Sequence, residues 1–117
     1  MTMEQNRDSI INISSISAER VDFTGIAYGV SKAGLERFTR GLAAEVGKYN
    51  IAVNALKPKE AVDTEGMRVM NPDADRSQWA SPDMMVRAAI FLGSQDAAGV
   101  TGTIAFDEEI CAFHGLA

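Results

Sequence analysis

The sequence has one cysteine and one histidine among its 117 residues. A single thiol, Cys111, excludes a disulfide within the chain, and with only His114 beside it no zinc site of Cys and His ligands can form. We therefore predict no metal site. No Gly-x-Gly triplet occurs either. These residues consequently lack the loop that lets a backbone close around a pyrophosphate at a helix N-terminus.

Basic clusters and long apolar runs are also missing. The net charge is −5 and the sequence pI is about 4.7, with lysines and arginines scattered singly, so no patch exists that could neutralise phosphates. The longest apolar runs, such as "AAIFL", are far shorter than a membrane span, and the first ten residues carry no secretory apolar stretch. We expect no nucleic-acid partner, no membrane partner and a cytoplasmic location.

What is present is an alternation of apolar strands and helices. "SIINIS" (9–14), "IAVNAL" (51–56) and residues 103–106 are short apolar runs typical of buried strands. Apolar residues recur at helical spacing over 27–48, and "SPDMMVRAAIFLGS" begins a second helix with Ser81 as N-cap and Pro82 in the first helical position. This order predicts one α/β domain over 1–117, with a parallel sheet and helices on its faces.

Two further segments have weaker patterns. Residues 59–80 are polar and show no clear period, so we interpret them as a lid or binding loop. Asp107, Glu108 and Glu109 form an acidic run after the last strand, which we expect to be solvated rather than a metal site. We expect Cys111 to be a small buried apolar residue and His114 to be an exposed residue of the C-terminal tail.

Polar side chains follow the predicted strands where a parallel sheet binds its ligands. Tyr28 and Lys32 are one helical turn apart at the start of the long helix, and Ser15 precedes Tyr28 by thirteen residues. A loop of that length can return the serine hydroxyl to the tyrosine. A cation one turn from a phenol favours the phenolate by Coulomb attraction, and a nearby hydroxyl can hold a substrate oxygen. The trio therefore indicates acid/base chemistry.

Five segments resemble the short-chain dehydrogenase/reductase family in the same order: "NISS", "YGVSK", "IAVNALKP", "VDT" and "FLGSQDAAGVTGTIAFD". The resemblance implies a partial Rossmann-like fold and NAD or NADP as cofactor. It assigns catalytic roles to Ser15, Tyr28 and Lys32, with the tyrosine as acid/base and the lysine also binding the nicotinamide ribose.

The same resemblance implies that Pro58, Val62 and Thr64 line the nicotinamide site. Two details differ from many family members. Lys59 follows the proline where a glycine is common, and six positions rather than five separate Pro58 from Thr64.

The family's Gly-rich loop and first strands have no counterpart in these residues, so the resemblance covers only the C-terminal half of its domain. We expect the chain to be inactive alone, and to form a homodimer or higher oligomer through helix 27–48 and the exposed strand 9–14. Three interpretations stay open: an NAD(P)-dependent oxidoreductase whose other half a separate chain supplies, a non-catalytic assembly domain, and a remnant.

Overall fold

The computed structural model describes residues 8–21 and 25–116, and within them three parallel strands form one sheet. β1 (Asp8–Ile13), β2 (Ile51–Lys57) and β3 (Ile104–Phe106) lie in the order β1-β2-β3. β1 and β2 pair over six residue pairs, from Asp8 with Ile51 to Ile13 with Leu56. The predicted α/β class with a three-stranded parallel sheet is confirmed.

Two long helices lie in the connections between the strands and pack on the sheet. α1 (Ile26–Val46) packs on β2 and ends in a 3-10 turn over Gly47–Tyr49. α3 (Asp83–Gly93) packs on β1 and β2. The prediction for its start was wrong by one residue: Pro82 is the N-cap, and the Ser81 hydroxyl accepts a bond from the Asp83 N–H.

Two short helices were not predicted. α2 (Glu65–Met70) lies within the segment that we interpreted as a loop, and the Thr64 hydroxyl caps it by accepting a bond from Met67 N–H. α4 (Asp107–Phe113) follows β3 directly and contains the acidic run. Both helices have fewer than eight residues, which is too short for a clear helical period.

The acidic run is not a fully solvated chain end, so that prediction was wrong for its first member. Asp107 is 5% exposed, and its carboxylate accepts bonds from the backbone N–H groups of Lys59 and Glu108. Glu109 accepts a bond from Phe106 N–H, while Glu108 and Glu109 remain exposed. Asp107 therefore joins the start of α4 to the segment that follows β2.

The core lies between the sheet, α3 and α4. Its buried members are listed here: Leu56, Ala88, Leu92, Ala105, Ile110 and Cys111. Burial raises the pKa of the Cys111 thiol, and the negative charge of Asp107 acts in the same direction. The expectation for His114 was wrong, because its ring is half-buried and stacks on Phe91 with 4.2 Å between ring centroids.

Two surfaces in the described part of the chain are unusually apolar. α1 has 21 residues, of which only Thr39 and Ala43 are buried, and Ile26 and Val30 are 87% and 65% exposed. β1 lies at the edge of the three-stranded sheet, where it carries no lysine or proline of the kind that protects an open edge. None of the described helices is long and apolar enough to cross a bilayer.

Proline substitutions test the direction in which β1 presents its backbone. Ser14 N–H donates to Leu56 O, so in a parallel ladder Ile10 N–H also points at β2 and Ile13 N–H points outward. We expect Ile10→Pro to lower the free energy of unfolding by about 1–3 kcal/mol more than Ile13→Pro, because only the first removes a ladder hydrogen bond.

Urea denaturation of both variants gives the measurement. The two isoleucines are well matched, because they are 39% and 49% exposed. Equal losses of stability, or a larger loss for Ile13→Pro, would show that the backbone faces the other way.

Candidate active site

A cavity of about 550 Å³ opens where β1 and β2 end, and it brings together most of the residues that the sequence singled out. Ser15 and Tyr28 line it from the β1 and α1 sides. The opposite wall contains the residues assigned to a nicotinamide site, Pro58, Val62 and Thr64. Apolar side chains make up much of the remaining surface: Ile13, Ile16, Met67, Met85 and Val86.

Ser15 is held by the short turn that follows β1. Its hydroxyl accepts a bond of 3.1 Å from the backbone N–H of Ser17 and so acts as N-cap of the 3-10 turn Ile16–Ala18. An accepting hydroxyl keeps its own hydrogen free to donate. The cap therefore fixes the position of Ser15 while leaving a donor for an oxygen atom in the cavity.

Tyr28 and Lys32 lie one turn apart on α1, as the spacing predicted. The Tyr28 side chain is half-exposed at the cavity, and the Lys32 ammonium lies 5.7 Å from the centre of its ring. The ammonium also donates a bond of 2.9 Å to the carbonyl oxygen of Ile13. Lys32 thus lies between the tyrosine and the end of β1, although it is not itself part of the cavity wall.

The wall formed by residues 61–64 is fixed by backbone and ionic bonds. Val62 and Ala80 form a parallel bridge, in which Asp63 N–H donates to Ala80 O. The Arg68 guanidinium donates two bonds to Asp63, of 2.7 and 2.8 Å, and holds the pKa of that carboxyl below its usual value by hydrogen bonding and charge attraction. Thr64 follows directly and caps α2.

Lys59 occupies the position where many family members have glycine. Its backbone N–H is bound by Asp107, and its ammonium lies 4.7 Å from the centre of the Phe106 ring. The side chain lines the cavity beside Pro58. The extra side chain is therefore accommodated at the rim without loss of the backbone bond that orients this segment.

A buried ion pair beneath the cavity was missed by the sequence reasoning. Lys57, the last residue of β2, is 4% exposed, and its ammonium lies 3.1 Å from a carboxylate oxygen of Glu36 on α1. The same oxygen accepts a bond of 2.6 Å from the Ser14 hydroxyl. A Glu19 carboxylate oxygen also lies 3.6 Å from the Lys57 ammonium, and the centre of the Phe106 ring lies 4.8 Å from it.

One signal could have revealed this pair. Glu36 lies one turn beyond Lys32 and two turns beyond Tyr28, on the same face of α1, and Lys57 is a charged residue at the end of an otherwise apolar strand. Among residues 8–21 and 25–116, no group of three or more His, Cys, Asp or Glu side chains is arranged to hold a metal ion.

Comparison with known proteins adds sequence relatives. A family model described as "Enoyl-(Acyl carrier protein) reductase" matches residues 1–107. Acetoacetyl-CoA reductase of Paracoccus denitrificans is 35% identical over 102 residues, which are 80% of this chain and 42% of that protein. The 7alpha-hydroxysteroid dehydrogenase of Bacteroides fragilis is 33% identical over 112 residues, 88% of this chain and 43% of that enzyme.

Solved structures of dehydrogenases are also similar to this chain. A gluconate 5-dehydrogenase from Burkholderia cenocepacia, in complex with NADP and tartrate, superposes with a TM-score of 0.73 at 27% identity, covering 94% of this chain and 47% of that one. The chain thus spans less than half the length of these relatives. With the family model matching nearly the whole sequence and the parallel sheet in the predicted order, the chain belongs to the short-chain dehydrogenase/reductase family.

Proposed function

We propose that these residues form the catalytic part of an NAD(P)-dependent oxidoreductase acting on an alcohol or carbonyl group, with Tyr28 as acid/base. The observation that carries the proposal is one cavity shared by Ser15, Tyr28 and the wall from Pro58 to Thr64. The Lys32 ammonium beside the Tyr28 ring supports the same assignment. None of these residues belongs to the buried core cluster around Leu92.

The residues present fit one end of the cofactor. The cavity wall offers an apolar surface at Pro58 and Val62 and a hydroxyl at Thr64, which suits a nicotinamide ring with its carboxamide. Lys32 could bind ribose hydroxyls, because an ammonium has three donors and its bond to Ile13 O uses only one. No glycine-rich loop for the pyrophosphate occurs in this sequence, so we propose that other residues of the family's domain supply that part.

In this proposal the bound nicotinamide supplies or accepts the hydride, and the chain's own residues manage the proton. The Tyr28 hydroxyl donates its proton to the substrate oxygen when a carbonyl is reduced and takes it back in the reverse direction. Ser15 donates a hydrogen bond to that oxygen and so fixes its position. Lys32 stabilises the negative charge that remains on the Tyr28 oxygen.

A chimeric enzyme tests this function. We expect the present chain, replacing the matched segment of the Paracoccus acetoacetyl-CoA reductase, to yield a folded protein that oxidises NAD(P)H when acetoacetyl-CoA is added. Tyr28→Phe in the chimera should lower kcat about 10²- to 10⁴-fold, because it removes the proton donor. The chain alone should bind neither NADH nor NADPH at millimolar concentration, as measured by fluorescence.

Tyr49→Phe is the matched control for the chimera. The two tyrosines are 46% and 47% exposed, but Tyr49 lies beyond the far end of α1. We expect this variant to keep full activity. A folded chimera that binds cofactor and loses the same activity with either substitution, or with neither, would disprove the role of Tyr28.

We further propose that the chain associates with another polypeptide through α1 and the edge of β1, either a second copy or a separate chain that carries the rest of the domain. The exposure of Ile26 and Val30 supports this, because a helix with so much apolar surface gains free energy when covered.

Sedimentation of the chain tests self-association. We expect a dimer or larger oligomer at micromolar concentration, and Val30→Glu should weaken it about tenfold or more by placing a charge in the apolar contact. Val69→Glu is the control, because Val69 is 72% exposed and lies on α2, away from the proposed contact. A folded monomeric parent chain would contradict self-association.

A further inference from the structure

We propose that Lys57 is a positioning residue of the proposed site: it binds the Glu36 carboxylate and thereby leaves the Lys32 ammonium free to act beside Tyr28. This inference rests on the proposed function, since it concerns how the same lysine is kept available. It is carried by the buried contact of Lys57 with Glu36, described above, and by the position of Glu36 on α1.

Without Lys57, the Glu36 carboxylate would attract the Lys32 ammonium away from Tyr28. Residues four apart on a helix are neighbours on one face, and a lysine and a glutamate at that spacing attract each other. Helical side chains lean toward the N-terminus, so the Glu36 carboxylate leans toward the turn that carries Lys32. Its side chain is only 12% exposed, and water therefore screens its charge little.

A carboxylate this buried needs a cation, because desolvation of an unpaired charge is costly. Lys57 provides that cation from β2, across the sheet-to-helix contact, at 3.1 Å. Because Lys57 neutralises Glu36, the Lys32 ammonium instead donates to Ile13 O and lies 5.7 Å from the centre of the Tyr28 ring. The two lysines thus bind different acceptors, one beneath the cavity and one beside it.

The ion pair also touches both strand ends that border the cavity. Ser14, which donates to the same Glu36 oxygen, immediately precedes Ser15. Lys57 immediately precedes Pro58. A single carboxylate on α1 is therefore bonded to the residue before the candidate hydrogen-bond donor and to the residue before the cofactor wall.

Competitive acetylation of the intact chain measures how available Lys32 is. The sequence has four lysines, Lys32, Lys48, Lys57 and Lys59, so mass spectrometry can follow each one separately. In Lys57→Met we expect Lys32 to pair with Glu36 and to be acetylated about three- to tenfold more slowly, relative to Lys48, than in the parent chain.

Two variants separate this role from a general loss of packing. Lys57→Arg keeps the cation and should restore the parent rate at Lys32. The double variant Lys57→Met/Glu36→Gln removes both charges and should do the same, because Glu36 then no longer attracts Lys32. If Lys57 only stabilises the packing, the acetylation rate of Lys32 should not depend on whether residue 36 is Glu or Gln.

The outcomes are decisive even when a variant folds poorly. Should Lys57→Met not fold, Lys57→Gln, which keeps a donor to Glu36 without charge, is expected to show the same slowing. Unchanged Lys32 acetylation in folded Lys57→Met or folded Lys57→Gln overturns the proposal. The proposal is also overturned if Lys57→Met and Lys57→Gln both fail to fold while the double variant folds. Lys32 would then have failed to pair with the unneutralised Glu36 carboxylate. The readout needs neither cofactor nor activity, so its failure is distinct from that of the chimera.

Discussion

The parallel ladder between β1 and β2 is the constraint on which the candidate site depends. Its register pairs Ile13 with Leu56, so both strands end at the same level of the sheet. Ser15 and Pro58 therefore leave the sheet side by side, although they are more than forty residues apart in the chain. Leu56 is fully buried, and a slip of one residue would turn its side chain to the opposite face of the sheet. The register that fills the core thus also positions the cavity wall.

α1 completes this geometry because the chain between two parallel strands must return to the end of the sheet at which the first strand began. The helix begins next to the end of β1 and runs back across β2, so its first turns lie beside the cavity and its last turn lies at the opposite end of the sheet. Tyr28 and Lys32 occupy those first turns. Their proximity to Ser15 is a consequence of the topology.

The strands and α1 could be predicted because their signals are local. Short apolar runs located β1 and β2 within one residue of their observed bounds, and the apolar period located α1 within two. α2 and α4 are short helices, and local side-chain bonds and one contact distant in sequence hold their first turns: Thr64 caps α2, and Asp107 at the start of α4 binds the Lys59 N–H. Asp107, for example, is buried because it binds Lys59, which is 48 residues earlier. A charged run carries no sequence signal that one member has such a partner.

The pair of Lys57 and Glu36 was missed for a related reason. Each residue alone has an ordinary interpretation, as a charge at a strand end and a charge on a helix surface, and only the packing of α1 on β2 brings them into contact. The free energy gained by a buried ion pair is small once both charges have lost their water. Its effect is on geometry: alternative positions of α1 that separate the two charges are strongly disfavoured.

The open edge of β1 and the candidate site share one atom. In this ladder the backbone N–H and C=O of Ile13 point away from β2. The outward carbonyl oxygen is the one that Lys32 binds. A strand that pairs with this edge presents its own N–H groups along the same row of acceptors. The isoleucines of β1, half-exposed here, suit a strand with neighbours on both sides. Lys32 therefore binds the last outward carbonyl of this edge while its ammonium lies 5.7 Å from the centre of the Tyr28 ring.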